Sequence, residues 1–220
     1  MKAFVITITS LDESVKCAER CIKSADDKSN IKVEMFDAIT PSKNPRAIAK
    51  KRQMNLEGFK HDIGSRPDNV LSAFMSHYIL WDLCARGKEE FLIFEHDAVV
   101  VDQIPQYAPY QGCMSLGAPS YGKFQQPFQM GVIPLTSKKY FPGAHAYKLK
   151  PAGARALVDE ATFNAMATDV FLNVNLFPWL EEYYPWPVVA KDSFTTIQNK
   201  TGCQAKHNYK EGSYNLVKVE

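Results

Sequence analysis

The feature that most constrains the fold is an uninterrupted apolar run at residues 91–94 (FLIF), followed at once by Glu95, His96 and Asp97. A short apolar run without alternation is typical of a central strand in a parallel sheet, because helices cover both faces of such a strand. Open parallel sheets bind their ligands beyond the carboxyl ends of the strands. The sequence therefore predicts a buried strand that carries two acids where a functional site is expected.

The beginning of the chain has a second clear pattern. Residues 3–8 are apolar and β-branched, residues 12–24 have apolar positions at helical spacing, and residues 31–36 alternate between apolar and polar side chains. Strand, helix and strand in this order begin a βαβ unit, which favours a parallel sheet. We therefore expect an α/β fold with a mostly parallel central sheet and flanking helices.

A long helix is predicted just ahead of the apolar run. Leu71, Phe74, Tyr78 and other apolar residues recur at helical spacing before Gly87. Either Asp68 or Asn69 can cap the start of this helix.

Length and composition limit the class of protein. The chain has 220 residues, of which 45% are apolar, so it can bury a core and is neither a disordered tail nor a coiled coil. No repeat or linker interrupts it, and we expect a single domain over residues 1–220, with a basic excursion at 41–66 and a polar tail at 198–220. The net charge of +2 is too small to hold the protein on a polyanion by itself.

Membrane and secretory signals are missing from the sequence pattern. No run approaches the roughly 18 consecutive apolar residues of a membrane helix, and residues 1–5 are too short and strand-like for a signal peptide. The five cysteines are scattered over a chain too large to need disulfides, so we expect reduced thiols. A cytoplasmic location follows as an expectation.

The second half of the chain has weaker patterns. Prolines are frequent after residue 101, and residues 121–129 have no clear period, which favours a mobile loop that covers a substrate. Four short elements are predicted beyond it: strands at 144–149 and 188–190, a helix at 151–160, and a helix or helical turn at 168–177.

The two acids after the apolar run suggest a metal site. Glu95 and Asp97 are two residues apart, and an extended turn can direct both carboxylates to one divalent cation that neutralises a diphosphate. Oxygen ligands favour Mg²⁺ or Mn²⁺ over zinc. His96 is a third ligand, a hydrogen-bond donor or a bystander. An ordinary loop start explains the same acids without a metal.

A family resemblance emerges from the segments around these acids. Residues 71–81 (LSAFMSHYILW) and residues 91–99 (FLIFEHDAV) resemble glycosyltransferase family 25, which is typified by lipooligosaccharide and collagen galactosyltransferases. Its members carry a Ser-His pair in a helix ahead of a strand that ends in Glu-Asp-Asp. Other pieces are similar to the family in the same order: residues 5–11 with Arg20, 36–39, 143–149 with Gly153 and Ala154, 169–172, and 193–197. The resemblance covers about residues 3–200, and its one departure is His96 in place of the middle acid.

The resemblance implies a single GT-A-like (Rossmann-like) nucleotide-diphospho-sugar transferase domain. The activity it implies is metal-dependent, inverting transfer of a sugar from a nucleotide-diphosphate donor to an acceptor hydroxyl, with Mn²⁺ or Mg²⁺ as the cofactor and a UDP-sugar as the expected donor. Nucleotide contacts are expected from Thr9, Ser10, Asp37, Ser76 and His77. Metal or phosphate contacts are expected from Glu95, Asp97 and His145, and a general base is expected at Asp169.

Each of these residues also has a structural explanation. Ser76 and His77 fit the core face of a helix, and Asp37 fits a turn or cap. His145 is either a ligand or a surface imidazole at the start of a strand. A helix N-terminus alone would account for Asp169, since unpaired backbone N–H groups favour a carboxylate there.

The acceptor remains open at this stage. The basic residues of 41–66 and 138–155 either are solvated or meet an anionic partner, such as an acidic glycan or a nucleic acid with a hydroxylated base. Aromatic residues of the second half suit stacking on sugars or bases as well as a core. The competing function is a glycosyltransferase-like domain that binds a sugar nucleotide or glycan without turnover. A metal-dependent nuclease or phosphatase would need more clustered acids.

Overall fold

The computed structural model describes residues 1–59, 66–191 and 196–197. The strands are β1 (Lys2–Thr7), β2 (Glu34–Asp37), β3 (Phe91–Glu95), β4 (Ala98–Val100), β5 (Cys113–Ser115), β6 (Gly131–Pro134), β7 (Ala146–Leu149), β8 (Glu181–Tyr184) and β9 (Val188–Ala190). The helices are α1 (Asp12–Ser29), α2 (Pro45–Lys51), α3 (Pro67–Arg86), α4 (Pro151–Asn164) and α5 (Thr168–Phe171), with 3₁₀ turns at Pro41–Lys43 and Glu57–Phe59.

The main sheet is mixed. In the described part of the chain its strand order is β2-β1-β3-β7-β5-β8-β6. Strand β1 is parallel to β2 and β3, and β5 is parallel to β8. Strand β7 runs antiparallel to both β3 and β5, and β6 runs antiparallel to β8. The predicted α/β class is confirmed, with β6 and β7 opposed to the common direction of the other strands.

Strand β3 lies at the centre of the core, as its apolar run predicts. Leu92, Ile93 and Phe94 are fully buried. Because side chains alternate across a strand, Leu92 and Phe94 pack on the face covered by α1, whereas Ile93 packs on the face covered by α3. The same alternation directs Glu95 to the α3 face.

Helix α3 forms most of that face. Pro67 occupies its first turn, Gly87 follows its end, and Phe74 and Trp81 are fully buried. The predicted cap is wrong, because the N-cap residue is Arg66, two or three residues earlier than Asp68 or Asn69, and it makes no side-chain cap. Its central turns carry Ser76 and His77 to the carboxyl end of the parallel strands.

Four strands were missed by sequence reasoning, namely β4, β5, β6 and β8. They have three or four residues each, and the last three lie in the proline-rich half. Strand β8 also begins with two glutamates, which a sequence pattern assigns to solvent. Glu182 is nevertheless fully buried, because its carboxylate accepts hydrogen bonds from the backbone N–H groups of Thr136 and Ser137.

The other predicted helices and strands agree with the structure to different extents. The last short strand is confirmed as β9, which pairs with β4 in a separate two-stranded sheet. The helix at 151–160 is confirmed and extends to Asn164. Of the helix or helical turn predicted at 168–177, the structure has a single helical turn, α5. Residues 121–129 form neither helix nor strand.

Much of the basic excursion is neutralised locally. Lys43 binds Asp37, Arg46 binds Asp68, and Arg52 binds Asp82. Residues 60–65 of the excursion and the polar tail at 198–220 lie outside the described residues. The expectation of a single domain stays a prediction.

Two further expectations concern the thiols and the membrane. Cys17, Cys21, Cys84 and Cys113 are buried and form no disulfide, in agreement with the expected reduced thiols, and Cys203 lies outside the described residues. Among the described helices, none combines the length and the apolar character needed to cross a membrane.

Candidate active site

A cleft of about 170 Å³ opens at the carboxyl ends of β1 and β3, on the α3 face of the sheet. We refer to it as the carboxyl-end cleft. Its walls are apolar on the side of β1 and β2, hydroxyl-bearing on the side of α3, and charged at the end of β3. The lining residues include Ile6, Ile8, Ala38, Ile39, Thr40, Pro41, Asn69, Ser72, Ala73, Ser76, His77, Glu95, His96, Asp97, Thr196 and Ile197.

Glu95 is the best-defined acid of the cleft. Its Oε1 atom lies 3.1 Å from Nε2 of His77. Burial alone would raise the pKa of Glu95, but the hydrogen bond from His77 and the nearby imidazoles of His77, His145 and His96 lower it below its usual value. Glu95 is therefore held as a carboxylate at the edge of the cleft.

His77 and Ser76 are wall residues rather than exposed contacts. His77 is 1% exposed, and its Nδ1 atom lies 2.8 Å from the hydroxyl of Tyr147. The fully buried Ser76 donates to the carbonyl of Ser72 and accepts from the backbone N–H of Ile39. These polar groups are engaged within the protein and shape the wall of the cleft. The nucleotide contacts expected of His77 and Ser76 stay a prediction.

Thr9 and Asp37 form a small polar cluster at the rim. Asp37 accepts a 2.7 Å hydrogen bond from Thr9 and a 2.7 Å ion-pair bond from Lys43. These hydrogen bonds, led by that from Lys43, lower the pKa of Asp37. Ser10 is exposed in the turn beside Thr9. Thr9 and Asp37 do not line the cleft themselves, but each is next in sequence to a lining residue, Ile8 and Ala38 respectively.

The other two residues of the Glu-His-Asp segment reach toward α1. Nδ1 of His96 lies 3.1 Å from Oγ of Ser14. Asp97 lines the cleft, and its charge adds to the effect of burial in raising the pKa of the Cys21 thiol on α1. The Asp97 carboxylate therefore lies between the cleft and helix α1.

His145 does not line the cleft. It is 1% exposed, and its Nδ1 atom donates to the carbonyl of Gly143. Nε2 lies so close to Gly117 that a Cβ atom there would be only 2.4 Å away. Burial lowers the pKa of His145, against the opposing charge of Glu95. The metal or phosphate contact expected of His145 stays a prediction.

Asp169 belongs to a second group of side chains, which we call the Asp169 cluster: Tyr121, Lys138, Tyr140 and Asp169. The Asp169 carboxylate accepts a hydrogen bond from the Tyr121 hydroxyl and another, over 2.9 Å, from the backbone N–H of Val170. Lys138 Nζ lies 4.5 Å and 4.6 Å from the ring centroids of Tyr121 and Tyr140. Burial raises the pKa of Asp169, the hydrogen bond from Tyr121 opposes this, and the charge of Glu95 adds to the rise.

The first half of the chain matches a known protein family. The family model described as "Glycosyltransferase family 25 (LPS biosynthesis protein)" matches residues 1–111, just over half of the chain. The chain belongs to glycosyltransferase family 25. The search of curated proteins found no match.

The matched segment of this glycosyltransferase carries the acids and helix α3 of the carboxyl-end cleft. Glu95, Asp97, Ser76 and His77 all line that cleft, so residues predicted from two separate segments meet in one place. Thr9 and Asp37 meet at its rim. His145 and Asp169 lie outside both the matched segment and the cleft lining.

The donor set of the cleft suits a divalent cation in part. Within residues 1–59, 66–191 and 196–197, no three His, Cys, Asp or Glu side chains are grouped so that they could hold a metal ion. Mg²⁺, however, usually takes one or two protein carboxylates and completes its shell with substrate phosphates and water. Glu95 and Asp97, which both line the cleft, fit that pattern.

Two partners of the predicted residues were missed. Tyr147 contacts His77, and Tyr121 contacts Asp169. The first had a usable signal, since Tyr147 is two residues from His145 on the same predicted strand and so shares its face. Tyr121 had no such signal, because it lies in a loop without a period.

Proposed function

We propose that this glycosyltransferase binds a nucleotide-diphosphate sugar in the carboxyl-end cleft and transfers the sugar to an acceptor hydroxyl with inversion. A UDP-sugar is the expected donor, and the mixed sheet would then serve as a GT-A-like framework. One observation carries the proposal. The two carboxylates of Glu95 and Asp97 line the same cleft as the central turns of α3, at the carboxyl ends of parallel strands, where such sheets bind ligands.

The lining of the cleft suits the nucleoside part of the donor. Ile6, Ile8 and Ile39 offer an apolar wall for a base, and the backbone near Ile39 is held in place by Ser76. At the rim, Thr9 and Asp37 supply polar groups of the kind that hydrogen-bond ribose hydroxyls. Ser10 extends this rim on the same turn.

The diphosphate would lie at the charged end of the cleft. Glu95 and Asp97 would hold Mn²⁺ or Mg²⁺ there, with remaining ligands from phosphate and water. When bound, such an ion supplies positive charge that stabilises the leaving diphosphate. Because the His77 hydrogen bond keeps Glu95 ionised, this carboxylate is ready to act as a ligand at neutral pH.

Asp169 is the proposed general base. An acceptor hydroxyl attacks the anomeric carbon while a carboxylate oxygen of Asp169 takes its proton, and the nucleoside diphosphate leaves from the opposite face. The raised pKa makes Asp169 a stronger base than an ordinary aspartate. Tyr121 now donates to this carboxylate, so the loop at residues 121–129 would cover the acceptor side of the site.

The proposal also includes a class of acceptor and a cellular location. A glycan hydroxyl is the proposed acceptor, in keeping with the lipopolysaccharide description of the family, and a hydroxylated base of a nucleic acid is the alternative. A cytoplasmic location completes the proposal and agrees with the four described cysteines, which are buried and form no disulfide.

A screen of nucleotide sugars by thermal shift, with and without Mn²⁺, tests the proposal. A UDP-sugar should raise the melting temperature in the presence of Mn²⁺, because a ligand that binds the folded state stabilises it. The same donor should then be hydrolysed slowly or transferred to an added acceptor. Asp97→Asn should weaken Mn²⁺-dependent donor binding by more than about tenfold, the loss expected when a charged interaction worth roughly 1.5–3 kcal/mol is removed.

Asp102→Asn is the matched control, since Asp102 is an exposed aspartate five residues downstream and outside the cleft. Equal donor and metal binding by Asp97→Asn and the parent would place the donor site elsewhere. Donor binding without any turnover would instead indicate a binding protein in which His96 replaces the middle acid.

A further inference from the structure

A continuous chain of buried hydrogen bonds leads from the core of α3 to the carboxyl-end cleft. Nε1 of Trp81 donates to the hydroxyl of Tyr147 over 2.7 Å. That hydroxyl lies 2.8 Å from Nδ1 of His77, and Nε2 of His77 lies 3.1 Å from Oε1 of Glu95. Trp81, Tyr147 and His77 are at most 1% exposed, so water does not compete for the bonds among them, whereas the Glu95 side chain is 31% exposed at the cleft.

The direction of the chain is set by its first member. An indole N–H can only donate, so the Tyr147 oxygen is an acceptor toward Trp81. Its own proton is then available for Nδ1 of His77. Burial raises the pKa of Tyr147 far above its usual value, which keeps the phenol protonated. Nδ1 is therefore the acceptor, and the ring hydrogen that faces Glu95 is on Nε2, from which it is donated.

The opposite direction would place two acceptors against each other. If Nδ1 of neutral His77 carried the hydrogen, the bare Nε2 would face the Glu95 carboxylate at 3.1 Å. Such a contact sets two acceptors against each other with no hydrogen between them, which is unfavourable.

Packing holds the rings in the same arrangement. His77 stacks on Tyr147 with centroids 5.8 Å apart and an interplanar angle of 23°. Trp81 stacks on Phe171, two residues beyond Asp169, with centroids 5.4 Å apart. A flip of the His77 ring would break its contacts with both Tyr147 and Glu95.

We propose that Tyr147 is a positioning residue of the donor site: with Trp81, it fixes His77 in the tautomer that donates through Nε2 and so holds the Glu95 carboxylate in the carboxyl-end cleft. The link to donor binding rests on the proposed function, because it takes Glu95 to be a ligand of the metal and diphosphate. The hydrogen-bond chain itself does not depend on that function.

The direct test is ¹⁵N NMR of the imidazoles in the full-length, metal-free protein, since the nitrogen shifts separate a protonated ring nitrogen from an unprotonated one. His77→Gln identifies the His77 signals. In the parent, His77 should be a single neutral tautomer with hydrogen on Nε2. In Tyr147→Phe, which removes the donor to Nδ1, the second tautomer should become populated.

The same variant should weaken binding of UDP in the presence of Mn²⁺ by roughly tenfold, the lower end of the 10–100-fold range for residues that orient metal ligands. Tyr110→Phe is the matched control. Tyr110 is also buried, and its hydroxyl donates over 2.7 Å to Glu90, at the opposite end of β3. This control should leave both the His77 tautomer and the affinity for Mn²⁺ and UDP unchanged.

Hydrogen on Nδ1 of His77 in the parent would overturn the proposal. So would a Tyr147→Phe protein with the tautomer and affinity of the parent. If the parent has the expected tautomer and Tyr147→Phe disturbs it, but the parent does not bind UDP with Mn²⁺, the hydrogen-bond chain is supported and the proposed donor is rejected.

Discussion

The carboxyl-end cleft and the Asp169 cluster contain acids that influence each other, yet they are built differently. The cleft is formed by the ends of β1 and β3 and by the central turns of α3. The Asp169 cluster is formed by loops and the single turn of α5. Rigid elements therefore support the proposed donor side, while loops support the proposed acceptor side, an arrangement in which the acceptor site can vary without disturbing the donor site.

The two acids also have opposite electrostatic environments. Glu95 accepts from an imidazole, and its pKa is lowered, whereas Asp169 accepts from a phenol, and its pKa is raised. A lowered pKa favours a permanent carboxylate, and a raised one favours proton transfer. Neighbouring acids whose environments separate their pKa values in this way suit different chemical roles.

The largest expected effect comes from removing the basicity of Asp169. Asp169→Asn keeps the size of the side chain, and turnover should fall by roughly 10²–10⁴-fold, the usual contribution of a positioned base. Donor affinity should stay close to that of the parent, because Asp169 is outside the lining of the cleft. Steady-state turnover and UDP titration in the presence of Mn²⁺ measure the two quantities separately. A loss of donor affinity, or retention of most turnover, would remove the distinction between the two regions.

The pH dependence of the parent sharpens the same comparison. A general base must be ionised, so turnover should fall as the pH decreases through the pKa of Asp169. Because this pKa is raised, the fall should occur at a higher pH than for an ordinary aspartate. A raised native-state pKa also means that stability from the protonated form is lost as the pH rises through it. Asp169→Asn should therefore be at least as stable as the parent at pH 7. A lower melting temperature would identify Asp169 as a structural acid.

A smaller effect is expected from Gly117→Ala, which tests whether His145 links the two regions. The new Cβ atom would lie 2.4 Å from Nε2 of the buried His145, whose backbone carbonyl accepts from Glu95 N–H. Overpacking of this kind costs roughly 1–3 kcal/mol, which lowers the melting temperature by roughly 2–12 °C in a chain of this size.

Gly87→Ala is the control, because its Cβ would meet the nearest atoms at 3.4 Å. Its melting temperature should stay close to that of the parent. A Gly117→Ala protein with unchanged stability would mean that the His145 side chain moves easily and is a poor support for Glu95.

The sequence predicts a structural feature well when the residues that form it are close together along the chain, and poorly when they are far apart. The strand at residues 91–94 was predicted correctly because burial on both faces leaves a local apolar run. The cluster of Thr9 and Asp37 was predicted in outline, since both follow parallel strands. The contacts of His77 with Tyr147 and of Asp169 with Tyr121 span 70 and 48 residues. No local period encodes such contacts.

Buried charge misled the sequence interpretation in another way. Glu182 and Lys148 are charged residues, yet both are fully buried, because Glu182 accepts backbone N–H groups and Lys148 binds Glu90 and the carbonyl of Gln106. Their partners come from distant loops. The strands that carry them therefore looked more solvent-exposed in the sequence than they are.

The smallest expected effect concerns the basic helix α2. Lys50 and Lys51 are exposed, whereas Arg52 is engaged with Asp82. If this surface meets an anionic acceptor, Lys50→Glu with Lys51→Glu should raise the acceptor KM several-fold at low salt and less at high salt, because exposed charges are screened over roughly 8–10 Å at physiological ionic strength. Lys16→Glu with Lys28→Glu on α1 is the control. The same salt profile in both double variants would make the α2 surface a solvated face.

The position of β7 has a consequence for biosynthesis. Strand β3 pairs on one side with β1, but its other neighbour is β7, which begins at Ala146. A nascent chain that has already emerged from the ribosome through Asp97 therefore presents the unpaired edge of an apolar strand until residue 146 has followed. Such an edge invites pairing with other chains. The segment by which the family is recognised, residues 1–111, is for this reason expected to depend on the later half of the chain, or on a chaperone, to stay soluble.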